Sequence, residues 1–174
     1  MEAKRVLANR YELIRKIGSG GMAVVYQAYD TALDRQVAVK LLRDEYVDDP
    51  DFIRRFQKEA QAVARLSHQN IVNIYDFKES DGLTYLFMEY VEGSTLKDII
   101  AQSGPLPISQ VIDYSVQLCY GLAQAHDQQL VHKDIKPHNI IIDSNHVLKI
   151  TDFGIAQAMN NLTITHNKGI LGSD

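Results

Sequence analysis

The chain has 174 residues, 45% hydrophobic and 23% charged, which suits one globular domain or two small lobes. A net charge of −4 argues against a general nucleic-acid binder, while a local, backbone-rich phosphate site is compatible with it. The single cysteine, Cys119, cannot form an internal disulfide, which points to a reducing compartment; its simplest role is a small buried apolar residue in a helix. No apolar run reaches the length of a membrane span, and the N-terminal MEAKRVLANRYEL has no signal-peptide core. The expectation is a soluble piece on the cytosolic side, any plasma-membrane anchor belonging to a downstream part of a longer product. There is no internal repeat and no low-complexity linker.

In chain order, residues 11–42 read as three antiparallel strands. YELIRKI leads into Gly18-Ser19-Gly20-Gly21, then MAVVYQAYD, a turn at Thr31–Asp34, and RQVAVKLL. Alternation in the third strand puts Ala38, Lys40 and Leu42 on one face and Val37, Val39 and Leu41 on the other. A lysine beside a small alanine suggests a cavity wall; an exposed lysine on a solvent face is the alternative. From Asp51 to Leu66 the period is helical, with Phe52, Phe56, Ala60 and Val63 on one stripe and Glu59 pointing with them. A carboxylate there needs a cation, and Lys40 is the candidate. Residues 71–79 and 83–91 read as two further strands. Glu92-Gly93-Ser94 reads as a linker, with Ser94 capping a short helix over Thr95–Ser103. Gly104-Pro105-Leu106-Pro107 ends that helix. A long helix follows from Ser109 to Asp127, burying Val111, Ile112, Ser115, Leu118, Cys119 and Leu122.

The stretch LVHKDIKPHNIIIDSNHVLKITDFG, 130–154, carries the densest chemistry. Ile140–Ile142 and Val147–Ile150 flank a turn at Asp143-Ser144-Asn145, a hairpin pattern. Folding it brings Asp134, Asn139 and Asp152 to one end, a set of hard oxygen ligands of the kind Mg²⁺ takes beside a phosphate. The glycine-rich turn could cradle phosphate through free N–H groups. It is neither a dinucleotide fingerprint, because no helix follows it, nor a Walker A loop, because no Lys-Ser/Thr pair closes it. His138 and His146 are scattered loop histidines and carry no weight as a zinc site.

Taken together, the glycine-rich hairpin, VAVK, a helical Glu, His-Lys-Asp with Asn139 five beyond the Asp, and Asp152-Phe153-Gly154 resemble the protein-kinase signature. The resemblance runs from about Tyr11 to the chain end. Within that superfamily the Gly-Gly-Met-Ala turn, HxxIVxIYD and DFGIAxA look most like bacterial transmembrane Ser/Thr kinases with extracellular PASTA repeats. It implies an α+β, bilobal kinase-like fold. An antiparallel five-stranded N-lobe with one regulatory helix would span 1–91 through the hinge, and the first part of a helical C-lobe would span 92–174. It implies a non-specific Ser/Thr protein kinase that transfers the ATP γ-phosphate to protein Ser/Thr hydroxyls, with ATP and Mg²⁺ (or Mn²⁺) as cofactors. Ile17, Gly18, Ser19, Gly20, Gly21, Met22, Ala23, Val24 and Val25 would cover the phosphates. Lys40 would hold the α- and β-phosphates, and Glu59 would hold Lys40. Glu89 to Val91 would bind adenine through the backbone, with Met88 as gatekeeper and Val25, Ala38 and Ile141 around the base. Asp134 matches the catalytic base, Lys136 the residue steadying the transferred phosphate, and Asn139 and Asp152 the metal ligands. Val63, Ile74, His132 and Phe153 match the hydrophobic spine. Protein substrates are the implied partners, with an N-lobe homodimer for autophosphorylation and no nucleic acid.

The sequence departs from the family pattern in three places. Ala23 replaces the usual third glycine. Lys133 replaces the Arg that pairs with a phosphorylated loop residue, and lysine cannot make a bidentate clamp. The chain ends at Gly172-Ser173-Asp174, inside the activation segment, before the Ala-Pro-Glu motif. The isolated piece is therefore expected to be inactive or weakly active, with apolar surface left exposed. Thr163 and Thr165 are candidate autophosphorylation sites, set against a reading as plain loop threonines, and Ser173 stands where relatives carry a Thr that contacts the catalytic Asp. The alternatives are a pseudokinase-like nucleotide-binding fragment without catalysis, against which all five key polar residues are present, and a small-molecule phosphotransferase, against which Lys136 stands.

Overall fold

Alternating apolar and polar side chains build the first half of the chain as strands. A computed structural model describes residues 6–47, 49–80 and 82–153. β1 (Val6–Leu7), β2 (Tyr11–Ser19), β3 (Ala23–Asp30) and β4 (Arg35–Leu42) are followed by α1 (Asp44–Val47) and α2 (Pro50–Val63), then β5 (Ile74–Ser80) and β6 (Leu83–Glu89). The strands form one antiparallel sheet in the order β1-β2-β3-β4-β6-β5. It holds the five expected strands plus the two-residue β1 at its edge, and the one-turn α1 is a second helix beside the expected one. One face buries Leu7, Tyr11, Val37, Val39, Tyr85 and Phe87, with Tyr11 stacked on Phe87 at 4.0 Å between ring centroids. α2 buries Phe52, Phe56, Ala60 and Val63, the expected stripe, and Phe56 meets Phe77 of β5 at 5.9 Å. Asp49 caps this helix, its Oδ1 accepting from the N–H groups of Asp51 (2.9 Å) and Phe52 (3.0 Å), with Pro50 pre-set for the first turn. The sequence reading starts the fourth strand at 71. It starts at Ile74, because Ile71 instead makes an isolated parallel bridge with Ile150.

The chain divides into two compact units. The first takes the described residues of 6–67 and 72–92, and the second takes 68–71 and the described residues from 93 onward. The second unit contains β7 (Gly93–Thr95), α3 (Leu96–Ser103), α4 (Ile108–Asp127), a single 3₁₀ turn (Pro137–Asn139), β8 (Ile140–Asp143) and β9 (Leu148–Ile150). β7, β8 and β9 form a three-stranded antiparallel sheet. The expected hairpin over 140–150 is thus present. Its turn is closed by Asp143 Oδ1, which accepts from Asn145 N and Val147 N, both at 2.8 Å.

Three expectations for this unit need correction. Gly93 and Ser94 are strand rather than linker, paired with Asp143 and Ile142. A Cβ on Gly93 would sit 2.2 Å from Ile142 O, so only glycine permits that approach. The cap of α3 is Thr95, not Ser94, its Oγ1 accepting from Asp98 N at 3.1 Å. On α4 the buried residues are Tyr114, Gly121 and Ala125. Val111, Ile112, Ser115 and Cys119 are exposed. Gly121 explains the rotation. A Cβ there would meet Ile150 Cδ1 at 2.8 Å and Asn70 O at 3.1 Å, so α4 turns its smallest residues to β9 and to the 68–71 segment. Val111, Ser115 and Leu118 instead border an apolar cavity of about 280 Å³ with Leu96, Ile100 and Leu148. Ile108, Ile112, Val116 and Tyr120 are also exposed, in line with the expected apolar surface on this helix.

Candidate active site

In the first unit, the glycine-rich segment is the β2–β3 turn. Gly20 N donates to Ala23 O at 2.9 Å. The turn is gripped from β4's far end by Arg43, whose N donates to Met22 O (2.9 Å), Nε to Gly20 O (3.2 Å) and Nη2 to Ser19 Oγ (3.2 Å). A Cβ on Gly21 would meet nothing within 4 Å, and one on Gly20 only Ala23 O at 3.9 Å. Packing within the chain does not require glycine at either position. What remains is a bare strip of backbone beside open space, as close approach to a phosphate demands. Met22 and Ala23 are buried, so any contact they make with a ligand is through the backbone. Gly18 pairs with Val25 and Ser19 with Val24, while Ile17 is exposed.

Lys40 lies between Val25 of β3 and Leu86 of β6 in register, and is only 6% exposed. Ala38 and Met88 face one another across β4 and β6, both buried. Glu59 is half-buried on α2, next to the core residue Ala60. A cation so far out of water is tolerated only with compensating negative charge. The sheet pairing ends at Val37↔Glu89, which leaves Tyr90 and Val91 outside the strand. Glu89 is tied to Asn73 through its N–H and its carboxylate.

In the second unit, His132 is the anchor, at 1% exposure. Its Nδ1 accepts from Asp134 N at 3.2 Å, which places the proton on Nε2, and Nε2 donates to Thr151 O at 2.9 Å. Phe153 meets the ring edge-on at 4.6 Å. Burial pushes the imidazole pKa below its ordinary value, so His132 is held neutral. Asp134 Oδ2 takes Lys136 Nζ at 2.7 Å and Asn139 Nδ2 at 3.1 Å, and Nδ2 also reaches Asp134 O at 2.9 Å. The bond to Lys136, with smaller help from Asn139, holds the Asp134 carboxyl below the usual carboxylate range. Asn139 is buried, and its backbone O accepts from Thr151 N at 3.0 Å, closing the base of the hairpin next to Asp152. Ile141 pairs with Thr95 and Lys149 in the small sheet. Lys133 and Asp152 have φ of 67° and 62°, a left-handed backbone that costs about 1–2 kcal/mol at each non-glycine residue. The surrounding hydrogen bonds of His132, Asn139 and Thr151 hold that geometry in place.

Asp134, Lys136 and Asn139 are thus in direct contact, with Asp152 one residue beyond Thr151. Asn139 and Asp152 each carry an oxygen donor of the kind that suits Mg²⁺ shared with phosphate groups. Gly154, Thr163, Thr165 and Ser173 lie outside the described residues.

Residues 11–171 match the family model for the protein kinase domain. The chain belongs to the protein kinase family. It is 52% identical over 167 residues to the serine/threonine-protein kinase PrkC of Bacillus subtilis, covering 96% of this chain and 26% of that protein. It is 42% identical over 172 residues to the serine/threonine-protein kinase PknB of Mycobacterium leprae, covering 96% of this chain and 28% of that protein. The PknI kinase domain of Mycobacterium tuberculosis superposes with a TM-score of 0.78 at 31% identity, covering 90% of this chain and 64% of that one. This kinase chain therefore spans about a quarter of the length of the curated relatives it matches. Among its described residues no helix is long and apolar enough to cross a membrane.

Three residues that support this kinase architecture escaped the sequence reading. Arg43 and Asn73 act through contacts to distant backbone, for which a lone Arg or Asn beside a strand gives no signal. Asn70 is fully buried, its Nδ2 donating to Leu148 O (2.8 Å) and Gln117 Oε1 (3.1 Å) and its O accepting from Ile150 N (2.9 Å). A polar residue immediately before the apolar Ile71-Val72 was the available clue.

Proposed function

We propose that this chain carries the nucleotide-binding and catalytic-loop machinery of a Ser/Thr protein kinase acting on protein hydroxyls with Mg-ATP. The observation that supports it best is the Asp134–Lys136–Asn139 cluster, with one carboxylate oxygen engaged twice. Oδ2 is occupied by Lys136 and Asn139, and Oδ1 is the oxygen that accepts the substrate proton. The lowered Asp134 pKa keeps the carboxylate ionised at neutral pH. The hydroxyl oxygen bonds to the γ-phosphorus as the bond to the β,γ-bridging oxygen breaks. The proton passes to Asp134, and ADP leaves. Lys136 Nζ neutralises charge on the moving phosphoryl group. Lys40 contacts the α- and β-phosphates, Glu59 orients Lys40, and the Gly18–Ala23 backbone covers the phosphates. Asn139 and Asp152 hold Mg²⁺, which when bound neutralises phosphate charge. The adenine lies against Val25 and Ala38 and bonds to the backbone of Glu89–Val91, with Met88 beside it. The Asp-x-Lys spacing favours Ser/Thr over Tyr acceptors.

The test is Asp134→Asn in the longer protein. Transfer to a protein substrate should fall by about 10²–10⁴-fold while ATP affinity is kept. Loss of both would mean that Asp134 is structural. Retained transfer would refute the assignment of Asp134 as base.

A further inference from the structure

Two distant points of the first unit are fastened to each other next to where the chain passes between units. The chain re-enters the first unit at Val72 and leaves it after Glu92. Asn73 follows the entry and Glu89 precedes the exit. Asn73 O accepts Glu89 N at 2.9 Å. Asn73 Nδ2 donates to Glu89 Oε2 at 2.9 Å, and Asn73 N donates to the same oxygen at 3.2 Å. β5 begins only at Ile74 and is irregular between Ile74 and Asp76, so the regular ladder does not supply this grip. Asn73 therefore holds Glu89 both at its backbone and at the tip of its side chain.

We infer that Asn73 is a positioning residue for recognition of the nucleotide base. The inference rests on the kinase reading above, in which the backbone of Glu89–Val91 meets adenine. Those groups follow directly from an anchor with one orientation. Adenine presents a 6-amino donor and an N1 acceptor, whereas guanine presents the opposite pattern. A backbone held in one geometry satisfies the first and leaves its polar groups unmatched against the second. Loosening the anchor lets the segment adjust, and discrimination falls more than affinity for guanine does. If Asn73 merely closed a sheet edge, both nucleotides would lose equally.

The experiment is calorimetric titration of the longer protein with Mg-ATP and Mg-GTP. Asn73→Ala removes only the carboxamide bond and leaves both backbone bonds, so the fold should persist. It should weaken ATP by about three- to tenfold and lower the ATP-to-GTP affinity ratio. N73D sets two carboxylates together and should weaken ATP further. Adding E89Q to N73D restores a donor–acceptor pair with the roles exchanged, and should recover ATP affinity to within about threefold of wild type. Unchanged ATP affinity in Asn73→Ala, equal losses for ATP and GTP, or no rescue in the double variant would each overturn the inference. A wild-type protein that binds neither nucleotide would overturn the proposed nucleotide site, and this inference with it.

Discussion

The glycine-rich turn and the catalytic loop are held in opposite ways. The turn at Gly18–Ala23 is a strip of backbone with empty space around Gly20 and Gly21, fastened by a surface arginine. The loop from His132 to Asn139 is fastened from inside by a buried imidazole and a buried carboxamide. The difference fits the tasks proposed for them above. A phosphate cradle has to let a ligand in and close over it, and backbone N–H groups supply the contacts. A general base has to stand within a fraction of an ångström of its proton's donor, so its position is fixed before substrate arrives.

The sharpest way to break this contrast is to remove the charge that the turn is expected to work beside. Lys40→Met in the longer protein should reduce Mg-ATP-dependent transfer by at least about 10²-fold, read as phosphate incorporated into a protein substrate. Unchanged activity would sink the proposed Lys40–Glu59 pairing. Next come the inside fastenings. His132→Ala deletes two hydrogen-bonding positions and the contact with Phe153. It should lower unfolding free energy by about 2–4 kcal/mol, measured by urea denaturation. Gly93→Ala should cost a comparable amount, because Ile142 O leaves no room for the methyl.

Acid should attack the loop in two stages. The folded state keeps His132 neutral with a pKa below its ordinary 6.5. Its contribution is therefore present above that value and is lost as pH falls below it, when the unfolded chain takes up the proton. The carboxyl of Asp134 is depressed below its ordinary 3.8, so its contribution persists above that value and is lost only further down. Urea midpoints should fall between pH 7.5 and pH 5.5 in wild type, and this fall should flatten in His132→Ala. The smallest effect belongs to the turn. Gly21→Ala should change stability by less than about 1 kcal/mol, since its Cβ meets nothing. Its cost should appear in ATP affinity instead, and a large loss of stability would mean that the turn is packed after all.

What could be read in advance from the sequence was uneven, for physical reasons. The 140–150 hairpin and the Phe52–Val63 stripe were legible because each has a clean period and clear punctuation. The grouping of Asp134, Lys136 and Asn139 was legible because their spacing is local. The buried face of α4 was not, because apolar residues surround that helix and the face that packs is marked by Gly121 and Ala125 rather than by large side chains. β7 was missed because Gly93 reads as a breaker until the close approach of Ile142 is seen. Arg43, Asn70 and Asn73 act across separations of dozens of residues or through backbone atoms, and no local pattern announces them.

The placement of residues 68–71 has a consequence for the order in which the protein assembles. This tetrapeptide lies between two stretches of the first unit, yet Asn70 bonds to Leu148, Ile150 and Gln117 of the second. During synthesis it leaves the ribosome long before its partners. The second unit cannot finish its own interior until it captures a piece of chain that was made earlier. A cut between Glu92 and Gly93 would give two fragments of unequal self-sufficiency, the C-terminal one lacking a part of its core that only the N-terminal one can lend.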